Sequence, residues 1–331
     1  MDRHISFVVT ARNDDYGGNF LHRMQVFLNA LSELCSRQES RWELIIVEWN
    51  PPPDKPGLAE VIKWPSSIDS DTMRIIQVPS EIHYELPNSD RMPMFEYIAK
   101  NVGIRMARGR FVLATNPDII FSAELMRFLF AGKLREDRFY RVNRYDVEKE
   151  IPLNMTVEEQ LILCRRYSTK VALRLGTVNT NHFLFWRMRL HAASVKRALT
   201  SKSSVSVVKD RFRLHTNASG DFLLMAKAKW YELRGYPEFT SHSHIDSYLC
   251  IMAASRGLKQ AVLEGKKRIY HQEHDRSEHS IRPLTDLDAL FERGAIMLRS
   301  KTPMIFNGED WGLAGDQLSV NIVEHVLDSR Q

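Results

Sequence analysis

Phe111-Val112-Leu113-Ala114-Thr115-Asn116-Pro117-Asp118-Ile119-Ile120-Phe121 is an apolar run broken by an amide, a proline and an acid. A short buried strand that delivers an acid at its carboxyl end is how open α/β sheets present a ligand or metal group. Asp118 is therefore the first candidate for chemistry. The proline before it fixes a turn, and the apolar neighbours deny the carboxylate casual solvation. A turn acid bonded to backbone amides would carry the same local signature.

Outward from this run, residues 94–107 read as a helix that stops at Arg108-Gly109, immediately before the strand. Residues 5–10 form a buried strand, followed by the polar loop Arg12-Asn13-Asp14-Asp15-Tyr16-Gly17-Gly18. A helix follows over 20–35, in which Phe20, Met24, Phe27, Leu28, Leu31 and Leu34 recur at helical spacing. A second strand over 42–48 ends in Trp49-Asn50 and three prolines, which cannot extend a ladder. A third is expected at 73–78. Strands alternating with helices through brief connections predict an α/β fold, a mostly parallel sheet covered by helices.

The second half is less regular. Helices are expected at 156–166 and 190–199, a Ser/Val-rich loop at 202–208, a strand-helix junction at 220–230 and a helix at 245–256 ended by Gly257. Residues 262–270 lead into Tyr270-His271-Gln272-Glu273-His274-Asp275-Arg276-Ser277-Glu278-His279. With no internal repeat or strong linker, one domain over 1–275 and an irregular extension packed on it over 276–331 are expected.

At 331 residues and 44% hydrophobic content, the chain can bury a sizeable core. Its net charge of +5 comes from 46 basic and 41 acidic residues mixed along the chain, without a block of one sign. That balance suits anionic small molecules, or at most peripheral contact with a membrane surface, and argues against nucleic acid. Cys35, Cys164 and Cys250 lack the spacing of a disulfide framework or a cysteine zinc site. With no apolar leader and no run of about 18 apolar residues, a cytoplasmic protein is expected.

If the sheet is parallel, Thr10 to Asp15, Glu48 to Asn50, Asn116 to Asp118 and the Gly220-Asp221 turn meet at one edge, where such sheets bind ligands. Asp14 and Asp15 read equally as helix caps. Glu48, after four apolar residues, is placed to accept from a ribose or base. His271 and His274 have chelating spacing, but their acidic neighbours also suit an exposed loop. Asp246, beside His242 and His244, begins a helix, a position that fits a general base or a plain cap. Trp186, Arg187 and Arg189 read as acceptor contacts or as packing and surface.

The order of these features resembles the family 2 type of nucleotide-sugar glycosyltransferases with the GT-A (Rossmann-like) fold. Phe7-Val8-Val9-Thr10-Ala11-Arg12-Asn13-Asp14 is similar to that family's opening strand and nucleotide loop. Glu48 sits where its members place an acid near the nucleotide. The segment from Ala99 and Asn101 through Gly103-Ile104 and Ala107-Arg108-Gly109 resembles the helix that leads into the metal-binding strand. Asn116-Pro117-Asp118 occupies the Asp-x-Asp position, with asparagine replacing the first aspartate. Trp230-Tyr231-Glu232-Leu233-Arg234-Gly235-Tyr236-Pro237-Glu238 is similar to the acceptor-side turn, and Ile245-Asp246-Ser247-Tyr248-Leu249 to the Glu-Asp-x-x-Leu helix.

The resemblance implies transfer of a sugar, with inversion, from a nucleotide-diphosphate donor to an acceptor hydroxyl of a glycan or lipid-linked sugar; a UDP-sugar is the commonest such donor. Thr10, Arg12, Asn13, Asp15, Glu48, Asn101 and Asn116 would hold the donor, and Asp118 with His271 would hold Mn²⁺ or Mg²⁺. Asp246 would be the base, with Asp221 as a sugar contact or alternative base. Two other readings stand beside this one. One is a metal-dependent hydrolase or nucleotidyltransferase centred on the histidines; the other is a catalytically silent sugar-binding module.

Overall fold

The computed structural model describes residues 4–65, 72–181, 183–200, 214–241, 244–275 and 286–322. The expected loop at 202–208, His242 and the end of the histidine segment lie outside these residues.

Eight strands form a large sheet in the order β11-β6-β10-β4-β1-β2-β3-β13. These strands are β1 (Ile5–Ala11), β2 (Trp42–Trp49), β3 (Met73–Val78), β4 (Phe111–Thr115), β6 (Arg138–Val142), β10 (Phe222–Ala226), β11 (Lys259–Leu263) and β13 (Ser319–Ile322). β1 pairs in parallel with β2 and β4, and β2 with β3, whereas β10 runs antiparallel between β4 and β6. The large, mostly parallel sheet flanked by helices agrees with the α/β reading. Alternation along β1 sends Phe7 and Val9 to one face and Val8 to the other. Helices Phe20–Ser36, Ala123–Phe130 and Val157–Arg166 cover the first face. Helices Glu96–Met106 and Ile245–Ser255 cover the second.

The opening run is not one strand. β4 stops at Thr115 and β5 (Ile119–Phe121) belongs to a second sheet, ordered β5-β12-β7-β8-β9. Its other members are β7 (Arg144–Val147), β8 (Ser168–Leu173), β9 (Gly176–Asn179) and β12 (Ile269–Gln272). Pro117, lacking an amide hydrogen, ends the ladder, so Asn116-Pro117-Asp118 is the crossing between two sheets. Residues 286–322, expected to be irregular, contain the helix Leu287–Ser300, and β13 adds antiparallel to β3.

Arg141, fully buried, donates to the carbonyls of His215, Asn217 and Ser219, bracing the chain that enters β10. His215 lies beside it with Nε2 3.0 Å from Asn143 Oδ1. Burial, then the charges of Arg141 and Arg174, push the imidazole down to about 3. An unfolded histidine titrates near 6.5, so the unfolded chain binds the extra proton between these values. Stability from this group is therefore complete above pH ~6.5 and falls on acidification by about 1.4 kcal/mol per pH unit towards the folded value. Urea midpoints between pH 7 and 5 should fall more steeply for the wild type than for His215→Gln; parallel slopes would refute the assignment.

Candidate functional site

Strand order reverses between the parallel neighbours β1 and β4: β2 and β3 lie to one side of β1, and β4 with its neighbours to the other. Residues at the carboxyl ends of β1 and β4 line a cavity of about 210 Å³ at that switch point. Because β10 is antiparallel, its amino end brings Asp221 to the same edge. Of the expected site residues, Thr10, Arg12, Asn116, Asp118, Asp221 and His271 line the cavity. Tyr16, Arg23, Glu96, Tyr97, Arg144 and His274 line it as well.

Three groups able to ligate a metal ion meet at the seam of the two sheets. β12 pairs with β5 so that His271 faces Ile119, and the amide of Gln272 donates to the Asp118 carbonyl at 3.1 Å. This register places His271 Nε2 3.5 Å and His274 Nε2 3.4 Å from Asp118 Oδ2. Asp118, His271 and His274 offer ligand atoms all within 4.8 Å of one another. Asp118 Oδ1 is buried without a hydrogen-bond partner. Burial works to raise the Asp118 carboxyl, but His271 and His274 together hold it well below the ordinary range. Burial likewise opposes the charged form of His271, but Asp118, Asp146 and Glu273 raise it well above an ordinary imidazole. On its far side, His271 Nδ1 lies 3.5 Å from both Asp146 and Glu273, an arrangement that orients a ligating imidazole.

Asn116 turns its amide to Asp221, donating to Oδ1 at 2.8 Å. An aspartate there would set two carboxylates against each other, so the position favours an amide. Arg144 takes the other oxygen of Asp221 at 2.7 Å and pairs with Asp146 at 2.8 Å. Burial would raise the Asp221 carboxyl, but Arg144 and His271 prevail and lower it. Arg144 has no motif around it; pairing of β7 with β12 brings it in.

The loop after β1 closes on the same cluster. Gly17 has a φ of +68°, and a Cβ there would fall 2.3 Å from His274 Nδ1. Only glycine permits that approach. The Tyr16 ring lies 5.1 Å from the His274 ring, and Arg23 donates to the carbonyls of Tyr16 and Gly18. Arg12 is held at the wall by Asp14 and the Asn50 carbonyl.

Five expected site residues are not on the cavity wall. Asn13 donates to the Pro56 carbonyl, and Asp15 accepts from the amide of Phe20 at the start of its helix. Glu48, 2% exposed, accepts from the amide of Leu58 at 2.8 Å, and burial raises its carboxyl. Asn101 exchanges hydrogen bonds with the backbone of Tyr236 and donates to Glu238, tying the helix to the Gly235-Tyr236-Pro237 turn. Asp246 Oδ2 accepts from Ser219 Oγ at 2.6 Å and the amide of Gly220 at 2.7 Å, and its Oδ1 from the amide of Ser247. Its sequence neighbour Ile245 lines the cavity. Short polar residues near turns and helix starts often bond backbone, and that local role is indistinguishable in sequence from a ligand role. Trp186, Arg187 and Arg189 are also absent from the wall, on the helix Phe183–Thr200.

No family profile matches this sequence, and no curated protein matches it. Among solved structures, the chain is similar to S. aureus TarS at 15% identity and a TM-score of 0.42, covering 82% of this chain and 37% of that one. A structure of TarS residues 1–349 in complex with UDP-GlcNAc is 14% identical with a TM-score of 0.48. That match covers 94% of this chain and 71% of the other.

Proposed function

We propose that the protein transfers a sugar from a nucleotide-diphosphate donor to an acceptor hydroxyl, with Asp118, His271 and His274 holding a divalent cation. The observation that carries this reading is the gathering of those three side chains at the switch-point cavity, beside the loop after β1. An orphaned carboxylate oxygen with two imidazoles facing its partner oxygen fits a cation site. Two nitrogen ligands favour Mn²⁺ over Mg²⁺, which prefers oxygen and water. When bound, the ion supplies positive charge against the donor diphosphate as the nucleotide departs.

The remaining roles belong to the protein's own side chains. Arg12 and the Tyr16–Gly18 loop border the space for the nucleotide. Asp221, with both oxygens engaged by Asn116 and Arg144 and its carboxyl held low, orients a sugar hydroxyl and takes no proton. Asp246, next in sequence to the cavity-lining Ile245, is the assigned base: its Oδ2 exchanges the bond from Ser219 Oγ for one from the acceptor hydroxyl, and attack opposite the leaving nucleotide gives inversion. The two-histidine, one-carboxylate set favours one second reading, a zinc-dependent hydrolase. Tightly held zinc in the purified protein would support it.

A thermal-shift screen of UDP-, GDP- and dTDP-sugars, with and without Mn²⁺, tests the proposal. A shift that requires both components supports transfer, and no shift with any sugar nucleotide overturns it. Because the apo imidazole of His271 holds its proton well above the ordinary range, ion and proton compete for one site. Mn²⁺ affinity is expected to rise with pH, about tenfold per unit while one proton is displaced. Titration followed by the Mn²⁺ electron-spin signal at several pH values checks this, and a pH-independent affinity would exclude His271 as a ligand.

A further inference from the structure

The helix Phe183–Thr200 lies on the far edge of the second sheet, against β9, where Leu190 approaches Gly176 to within van der Waals contact of a Cβ built there. Successive helical residues are about 100° apart. Phe183, Trp186 and Leu190 therefore share one side, and all three are half-buried. The opposite side carries Leu184, Phe185 and Met188, exposed by 71%, 51% and 65%. Arg187 and His191 flank this apolar strip on one side and Arg189 on the other, all exposed. Arg189 also lies over the rings of Phe185 and Trp186, at 5.6 and 5.4 Å. The helix sequence contains no acidic residue.

We infer that this face docks on an anionic bilayer surface. A core-facing helix buries its apolar stripe, but here a second stripe points outward, bordered by cations. That is the pattern of a helix lying in the membrane interface, with apolar side chains among the acyl chains and arginines at the headgroups. Among the described residues, no helix is long and apolar enough to cross a membrane, so this contact is peripheral. A second copy is the poorer occupant. Pairing two such faces would bring like charges together with no acid in the helix to offset them.

Sedimentation of the full chain with phosphatidylcholine vesicles, with and without phosphatidylglycerol, tests the inference. Binding is expected to the anionic vesicles and to be weak without phosphatidylglycerol. Arg187→Gln with Arg189→Gln should lower partitioning about fivefold per charge at low salt. Leu184→Ser, Phe185→Ser and Met188→Ser together should abolish it, and both variants should melt as the wild type does, because the changed side chains are exposed. Absence of binding to either vesicle overturns the inference, as does equal binding to both that survives the arginine changes. A dimer in light scattering that the triple serine variant dissolves would assign the face to a second copy instead. None of these outcomes depends on the reaction the cavity performs.

Discussion

Alanine at Asp118 is expected to reduce turnover by about three orders of magnitude or more and to remove Mn²⁺ binding, while the protein stays folded. The carboxylate lies within 3.5 Å of both imidazoles and, among the described residues, is the one oxygen donor of its three-residue cluster. Its loss removes the charge that makes the site attractive to a cation. Asp118→Asn keeps the shape without the charge and should retain only weak binding. The pair formed with His271 also shapes stability once the ion has been stripped with chelator. A depressed carboxyl adds stability above its unfolded pKa of about 3.9, lost as pH falls through the folded value. A raised imidazole adds stability below about 6.5, lost as pH rises through its folded value. In the metal-free protein, the wild type should therefore exceed Asp118→Ala in melting temperature most clearly near pH ~5–6, with a gap that narrows at alkaline pH. Normal turnover of a folded Asp118→Ala protein would remove the metal site from the mechanism.

Asp246→Asn is the second large effect. A general base contributes about 10²–10⁴ in rate, so if Asp246 fills the proposed role turnover should fall by that amount with donor binding unchanged. The same carboxylate clamps Ser219 and Gly220, and the two roles separate experimentally. An asparagine carbonyl still accepts from the Ser219 hydroxyl and the Gly220 amide, but those charge-assisted bonds become neutral and the side-chain NH2 replaces the oxygen that accepts from the Ser247 amide. The difference is about 1–3 kcal/mol, or about 1–4 °C in a chain of this size. A large rate loss with a small melting shift identifies the base. Near-normal turnover with the same small shift leaves Asp246 as a clamp only and sends the search to Glu96, which lines the cavity and pairs with Lys100.

Local pattern was enough to place β1, β2 and β3, the helix that begins at Phe20 and the helix that begins at Ile245, because each has an uninterrupted apolar period or a clear stop. It also singled out Asp118, where a proline and an acid interrupt an apolar run, and His271 in a segment of unusual composition. Arg144 and Arg23 carried no such signal. An arginine near a strand start or on a helix face reads as surface until pairing shows what it meets. Glu48, Asn13, Asp15 and Asn101 show the converse. Their side chains satisfy backbone groups, a use that residue type cannot distinguish from ligand binding.

Sequence alone determined the alternation of strands and helices, the buried core and the acid at the end of the central run, since these follow from hydrophobic period and turn chemistry within a few residues. Tertiary structure decided that the central run divides between two sheets and that β12 pairs with β5. It also decided that His271 and His274 thereby face Asp118, and that Asn116 serves Asp221. Those are matters of long-range strand register, in which backbone hydrogen bonding between distant segments selects which side chains meet.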